Sequence, residues 1–156
     1  MRHNRHIAAL LCAAILMLFP AGCGEEQTAR SPDDTLDSLI EQLTFSDQMT
    51  EMNADDACRF YNIDAELITD GAAYVGSGAT AESLAVFQAA DPAAAQTTAD
   101  ALQTFLDGWI DGYSDYDPEE VPKLESAILQ QEGVYVILCV SADNDAAADI
   151  IDDTWN

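Results

Sequence analysis

The stretch that decides the fold reads Ala72-Ala73-Tyr74-Val75-Gly76-Ser77-Gly78 and, four residues later, Ser83-Leu84-Ala85-Val86-Phe87-Gln88-Ala89. In the second run Leu84 and Val86 face one side, and the residues that alternate with them face the other, a pattern typical of a strand. The glycines that follow the first run indicate a turn region. We therefore predict two consecutive strands joined by a glycine-rich connection.

Two helices are predicted before these strands. Ser31-Pro32-Asp33-Asp34 supplies an N-cap serine, a first-turn proline and an acidic residue three places after the cap. A second short helix is predicted up to Tyr61, with Asn53 as its cap. The apolar stripe of the first helix consists of Leu36, Leu39, Ile40 and Leu43.

A long helix and a hairpin are predicted after the two strands. Apolar residues at helical spacing indicate a helix over residues 92–113. Its predicted core face consists of Ala95, Ala99, Leu102, Phe105, Leu106, Trp109 and Tyr113. Residues 127–131 and 134–141 flank Glu132-Gly133, a tight hairpin signal. A last helix, capped by Ser141 or Asp143, carries an apolar stripe that ends at Trp155. This order predicts an α+β domain with two leading helices and then strand, strand, helix, strand, strand, helix. The later helices are expected on one face of a four-stranded antiparallel sheet.

The N-terminal segment indicates export and a lipid anchor. A basic head precedes an apolar run over residues 7–19, too short to cross a bilayer, and Pro20-Ala21-Gly22-Cys23 follows. Its end resembles a bacterial lipobox, although Pro20 stands where that pattern favours an aliphatic residue. We expect residues 1–22 to be a lipoprotein signal peptide, Cys23 the lipidated residue, 23–30 a polar tether and 31–156 a single acidic α+β domain. An ordinary secretory signal is the alternative.

Composition excludes several function classes. Without residues 1–22 the chain keeps three basic residues against 29 acidic ones, a formal charge of −26. A nucleic-acid partner is excluded because phosphate binding requires a basic surface. Both histidines, His3 and His6, lie in the signal. The remaining chain therefore cannot build a serine–histidine or cysteine–histidine nucleophile or a histidine-ligated metal.

Cysteine usage leaves two states open. Cys58 and Cys139 remain once Cys12 is removed and Cys23 is lipidated. They could form a disulfide outside the cell. Each also lies among apolar neighbours, where a buried free thiol behaves as a small hydrophobe.

A family resemblance rests on an ordered series of short segments. These are Tyr61-Asn62-Ile63-Asp64, Gly78-Ala79-Thr80-Ala81-Glu82, Tyr116-Asp117-Pro118-Glu119-Glu120, Lys123-Leu124-Glu125-Ser126-Ala127 and Gly133-Val134-Tyr135-Val136. Together they resemble domain of unknown function 4358, a family of small exported bacterial lipoproteins without an assigned activity. Asn62 and Ser126 depart from the glycine and asparagine that the family favours. Asn62 is still expected to adopt the left-handed conformation that glycine would supply.

Three features could carry chemistry. Asp107, Asp111 and Asp115 recur at helical spacing and are candidate ligands for a divalent cation, against the alternative of a solvated acidic face. Residues 76–80 could cradle a phosphate, although a strand-to-strand turn explains them. Two suitably spaced carboxylates could hydrolyse glycosides. Trp109 and Trp155 are expected in the core rather than on a sugar platform.

These features together favour a membrane-anchored extracytoplasmic lipoprotein that acts as a non-enzymatic binding or interaction module without a cofactor. Its partner would be an unidentified protein or small molecule of the cell envelope. The alternative is a carboxylate-dependent hydrolase of cell-wall or dietary glycans. Two buried carboxylates of unlike environment in a cleft would favour the hydrolase. Exposed aromatic residues without such a pair would favour binding.

Overall fold

A computed structural model describes residues 31–155, so the predicted signal peptide, Cys23 and the tether lie outside the described residues. The described residues form five α-helices, one 3-10 turn and five strands. In chain order the elements are α1 Pro32–Gln42, β1 Thr50–Asn53, α2 Ala54–Tyr61, the 3-10 turn Ala65–Leu67, β2 Ile68–Val75, β3 Ser83–Ala89, α3 Pro92–Tyr116, α4 Val121–Glu125, β4 Ile128–Glu132, β5 Tyr135–Val140 and α5 Asn144–Trp155.

The strands form one antiparallel sheet in the order β1-β2-β3-β5-β4. The predicted count of four strands is wrong because β1 joins the edge of the sheet, where Glu51 lies opposite Tyr74 and Met52 opposite Ala73. This strand has four residues, three of which are exposed. A short polar edge strand carries almost no apolar alternation, so its sequence does not indicate a strand.

Helices cover both faces of the sheet, so the prediction that they pack on one face is wrong. Leu84 and Val86 pack with α1 and α5, whereas Ala85 and Phe87 pack with α2 and α3. The physical reason lies in β3 and β5, whose continuous apolar runs are buried on both sides. Such runs require a cover on each face. The result is a three-layer α/β/α domain within the α+β class.

The predicted helix ends are largely confirmed. The Asn53 side chain accepts a hydrogen bond from the Asp56 N–H and caps α2, and Asn62 after it has φ +57°. The left-handed conformation expected at this departure from the family is therefore adopted. Asp143 caps α5, since its carboxylate accepts a hydrogen bond from the Ala146 N–H at 3.0 Å. Ser31 is the cap residue of α1, but its side chain makes no capping hydrogen bond.

The two described cysteines are free and buried. Cys58 belongs to the core between the sheet and α2–α3, and Cys139 to the core between the sheet and α1–α5. The sheet therefore separates the two thiols. Of the two predicted states, the structure has buried free cysteines and not a disulfide. Burial raises the pKa of both thiols, that of Cys139 to about 12.

Candidate functional site

The connection between β2 and β3 is held by side chains from other elements. The Tyr113 hydroxyl of α3 lies 3.2 Å from the carbonyl oxygen of Gly78 and 2.6 Å from that of Thr80. The Ser77 N–H and hydroxyl both donate to one Asp47 oxygen at 2.7 Å. An internal carboxylate thus takes the Ser77 N–H that a bound phosphate would need. The segment is therefore a strand-to-strand connection that hydrogen bonds from Tyr113 and Asp47 hold in place.

Glu82, at the end of this connection, is a fully buried carboxylate, with 0 % of its surface exposed. It accepts hydrogen bonds from the Ser46 N–H at 2.9 Å and 3.0 Å, and from the Asp47 N–H at 2.9 Å. The Thr80 hydroxyl lies at 3.2 Å and the Lys123 ammonium at 3.6 Å. Burial alone would raise the pKa of Glu82, but these donors outweigh it and the pKa lies below its ordinary value.

Glu120 shares the same ammonium group. Its two carboxylate oxygens lie 2.9 Å from the Lys123 Nζ, and one of them accepts the Ala81 N–H at 2.9 Å. We call Glu82, Glu120 and Lys123 the buried network. It joins the β2–β3 connection to α4. A general acid requires a raised pKa, whereas Glu82 is held ionised. The buried network therefore fits a structural role, in which it holds the β2–β3 connection against α4, better than general acid–base catalysis.

The aspartates proposed as metal ligands lie along α3. Asp107, Asp111 and Asp115 are all exposed. Among residues 31–155, no group of three or more acidic, cysteine or histidine side chains is arranged to hold a metal ion. Asp107 accepts a hydrogen bond from Gln103 at 2.9 Å, whereas Asp111 and Asp115 make no hydrogen bond or ion pair with the described residues.

Aromatic side chains of α2 and α3 form a continuous row of ring contacts. We call Phe60, Phe105, Trp109, Tyr113 and Tyr116 the aromatic ridge. Successive ring centroids along α3 lie 4.6, 5.9 and 6.1 Å apart, and Phe60 of α2 lies 5.4 Å from Phe105. Phe105 and Trp109 are partly buried and Tyr113 is buried, whereas Tyr116 at the end of the helix is 72 % exposed. Trp155 is buried as predicted, but Trp109 is only partly buried.

A short repeat places two glycines between aromatic and acidic residues on α3. The sequence runs Phe105-Leu106-Asp107-Gly108, then Trp109-Ile110-Asp111-Gly112, then Tyr113-Ser114-Asp115. Residues three or four apart are neighbours on a helix. Gly108 therefore lies between Phe105 and Asp111, and Gly112 between Trp109 and Asp115. A Cβ atom added at either glycine would meet nothing within 4 Å.

This arrangement is an open furrow on the outer side of α3. Its floor is Gly108 and Gly112, and its walls are aromatic on one side and acidic on the other. The exposed Tyr116 lies one helical turn beyond Gly112. Reasoning from the apolar stripe alone assigned Phe105, Trp109 and Tyr113 to the core, and of these only Tyr113 is buried. The repeat of an aromatic residue, any residue, aspartate and glycine was the signal that could have revealed the furrow. The buried network had no comparable signal, because Glu82 and Lys123 lie 41 positions apart in the sequence.

The fold and these sites define an acidic α/β/α domain in which side-chain hydrogen bonds hold the β2–β3 connection and α3 carries the furrow. The chain belongs to the family described as domain of unknown function (DUF4358), whose profile matches residues 41–141. This match confirms the resemblance stated from the sequence. Three of its segments, 78–82, 116–120 and 123–127, meet at the buried network. Searches of curated proteins and of solved structures found no match. No helix within residues 31–155 is long and apolar enough to span a membrane.

Proposed function

We propose that this protein is a membrane-anchored extracytoplasmic bacterial lipoprotein that works as a non-enzymatic binding module. The observation that carries the binding role is the contrast between its carboxylates. The most buried one, Glu82, is saturated by amide N–H groups and Lys123. The aromatic furrow instead presents partly exposed rings beside carboxylates that have no partner in the described residues. Surfaces of this kind are typical of recognition sites.

Support for the proposed anchor comes from the N-terminal sequence. Ala21-Gly22 before Cys23 supports cleavage and acylation at that cysteine. Two or three acyl chains on one residue hold a protein stably on a membrane. The domain itself would stand clear of anionic headgroups, which repel its acidic surface.

Fractionation and mass spectrometry test the anchor. Wild-type protein should be recovered with the membranes and carry an acylated N-terminal Cys23, and Cys23→Ala should appear in the soluble extracytoplasmic fraction. Ala21→Ser, which keeps a small residue before the cysteine, is the matched control and should remain anchored. A wild-type chain cleaved elsewhere and recovered as soluble protein would refute the lipoprotein proposal.

The hydrolase alternative has one observation in its favour, since Glu82 and Glu120 are two buried carboxylates of unlike environment. It predicts that the protein releases reducing ends from labelled cell-wall glycan and that Glu82→Gln or Glu120→Gln stops the release. The binding proposal predicts no release by the wild type. It also predicts that chemical crosslinking on intact cells yields a discrete adduct of the anchored protein, and the absence of any adduct would contradict the binding role.

A further inference from the structure

We propose that the furrow on α3 binds a lysine- or arginine-bearing segment of a partner protein, an inference that rests on the proposed binding role and names its surface. The floor is Gly108 and Gly112, the aromatic wall is Phe105 and Trp109, and the acidic wall is Asp111 and Asp115. The aliphatic stem of a basic side chain would lie against the rings, and its cationic head would reach the carboxylates.

The first argument concerns the two glycines. Glycine in a helix interior costs about 1 kcal/mol relative to alanine. Neither Gly108 nor Gly112 has a positive φ, and an added Cβ would meet no atom within 4 Å apart from its chain neighbours and the backbone of its own helix. Nothing in the described chain therefore requires glycine at these sites. An incoming segment that packs against the helix would require it, because any side chain there would fill the furrow between the two walls.

The second argument concerns charge. Residues 92–117 contain no lysine or arginine, and Asp107, Asp111, Asp115 and Asp117 fall in the same part of the sequence as the rings of α3. The carbonyl end of the α3 dipole adds partial negative charge beside Tyr116. Cations above aromatic faces gain further attraction, most strongly with tryptophan. Both walls of the furrow therefore favour a cation, and the acidic wall rejects an anionic ligand.

Charge also decides between possible occupants. The described residues contain 27 acidic residues against Arg59 and Lys123, so a second copy of this chain would bring a formal charge of −25 to an acidic face. Residues 23–30, the predicted tether, contain two acidic residues and one arginine, and are a poor counter-charge as well. A basic segment of another protein has the complementary charge that these two lack.

A fluorescence anisotropy titration of the full chain in neutral detergent tests the proposal. From Phe105 to Tyr116 the helix rises about 17 Å, so a labelled arginine–alanine peptide of about eight residues covers the furrow. A peptide with citrulline in place of arginine keeps the shape without the charge. Titrations at about 0.1 M salt, where the Debye length is about 10 Å, limit attraction by remote carboxylates. The arginine peptide should bind and the citrulline peptide should bind at least about tenfold more weakly.

Three variants separate the furrow from the overall charge. Gly112→Gln fills the floor without changing charge and should weaken binding about tenfold. Tyr116→Ser removes an exposed ring and should weaken it about threefold. Asp111→Asn/Asp115→Asn should weaken it about tenfold. The matched control is Asp149→Asn/Asp153→Asn on α5, which lies across the sheet, and this variant should bind within about twofold of the wild type.

Several outcomes would overturn the inference. Equal losses in the two double-asparagine variants would show attraction by net charge alone. Unchanged binding by Gly112→Gln would show that the furrow is not the site. Binding of a neutral chito-oligosaccharide in place of the arginine peptide would assign the surface to a glycan. In each case the crosslinked adduct on cells would still decide the proposed binding role separately. Far-ultraviolet circular dichroism verifies that every variant is folded.

Discussion

Carboxylates occupy two opposite environments in this domain, the buried network and the furrow on α3. Glu82 is fully buried and accepts hydrogen bonds from two amide N–H groups and the Thr80 hydroxyl, with Lys123 at 3.6 Å. Asp111 and Asp115 are exposed and have no partner among residues 31–155. A buried charge persists only where it is neutralised, whereas an exposed one can remain unpaired at small cost. Carboxylates that stabilise the fold can therefore be distinguished from carboxylates that remain available to a ligand.

The largest loss of folding stability is expected from Lys123→Met. The substitution keeps much of the side-chain volume but leaves Glu82 and Glu120 buried without a counter-charge, which should lower the free energy of unfolding by about 3 kcal/mol or more. Urea unfolding of the full chain at neutral pH measures it. Arg59→Met is the matched control, since Arg59 forms only an exposed ion pair with Asp56 and should cost about 0–1 kcal/mol. Similar losses in both variants would contradict the contrast between the two environments.

A smaller effect, dependent on pH, is expected from Glu82→Gln. At neutral pH the variant should lose about 2 kcal/mol because two amide N–H groups lose a charged acceptor. The folded pKa of Glu82 is lowered, so the carboxylate stabilises the fold above the unfolded pKa of about 4.3, and this contribution disappears as pH falls through the lower folded value.

Urea unfolding from neutral pH down to about pH 3 should therefore show the difference between wild type and Glu82→Gln shrinking only at the acid end. Glu125→Gln, an exposed carboxylate on α4, serves as the control and should differ little from wild type throughout. A difference that grows toward acid would have the wrong sign for a stabilised carboxylate.

The same two regions show what the sequence could predict. The alternation around Leu84 and Val86 correctly predicted the faces of β3, because the side-chain period of a strand is local. The residues of the buried network were visible only as pieces of a family resemblance. Glu82 and Lys123 are 41 positions apart in the sequence and meet only through the packing of α4 against the β2–β3 connection. Proximity of that kind has no local signature.

The furrow was missed for a different reason. The helical stripe correctly indicated that Tyr113 is buried, but it also included Phe105 and Trp109, which lie at the margin of the buried face. Apolar periodicity gives the direction of a helix face and not its width. The location of α1 and α5 on the second face of the sheet was likewise missed, since two-sided burial of β3 and β5 appears only as a continuous apolar run.

A third prediction concerns the glycines of α3. Gly108→Ala and Gly112→Ala should each raise the free energy of unfolding by about 1 kcal/mol, because alanine favours the helix and its methyl group meets open space. Gly71→Ala in β2 is the matched contrast. A Cβ there would lie 2.8 Å from Phe87 Cδ1 and 3.0 Å from the Val86 carbonyl oxygen, so this variant should be destabilised. Thermal unfolding shows whether each variant is more or less stable than the wild type. A loss of stability in Gly108→Ala or Gly112→Ala would show that the furrow serves internal packing.

The smallest effect is expected from Asp111→Asn in the free protein. Asp111 lies four residues from both Asp107 and Asp115, and each like-charge pair at this spacing costs a few tenths of a kcal/mol. The substitution should therefore stabilise the fold slightly, and the gain should fall as salt is raised to about 1 M, where the Debye length is about 3 Å. Asp100→Asn is the matched control on the same helix, because no acidic residue lies three or four positions from it and its carboxylate accepts a hydrogen bond from Gln96. Removing a carboxylate would then lower stability at Glu82 and raise it at Asp111. A loss of stability in Asp111→Asn would mean that this carboxylate already has a structural partner, and the division between charge used by the fold and charge left for a ligand would no longer hold.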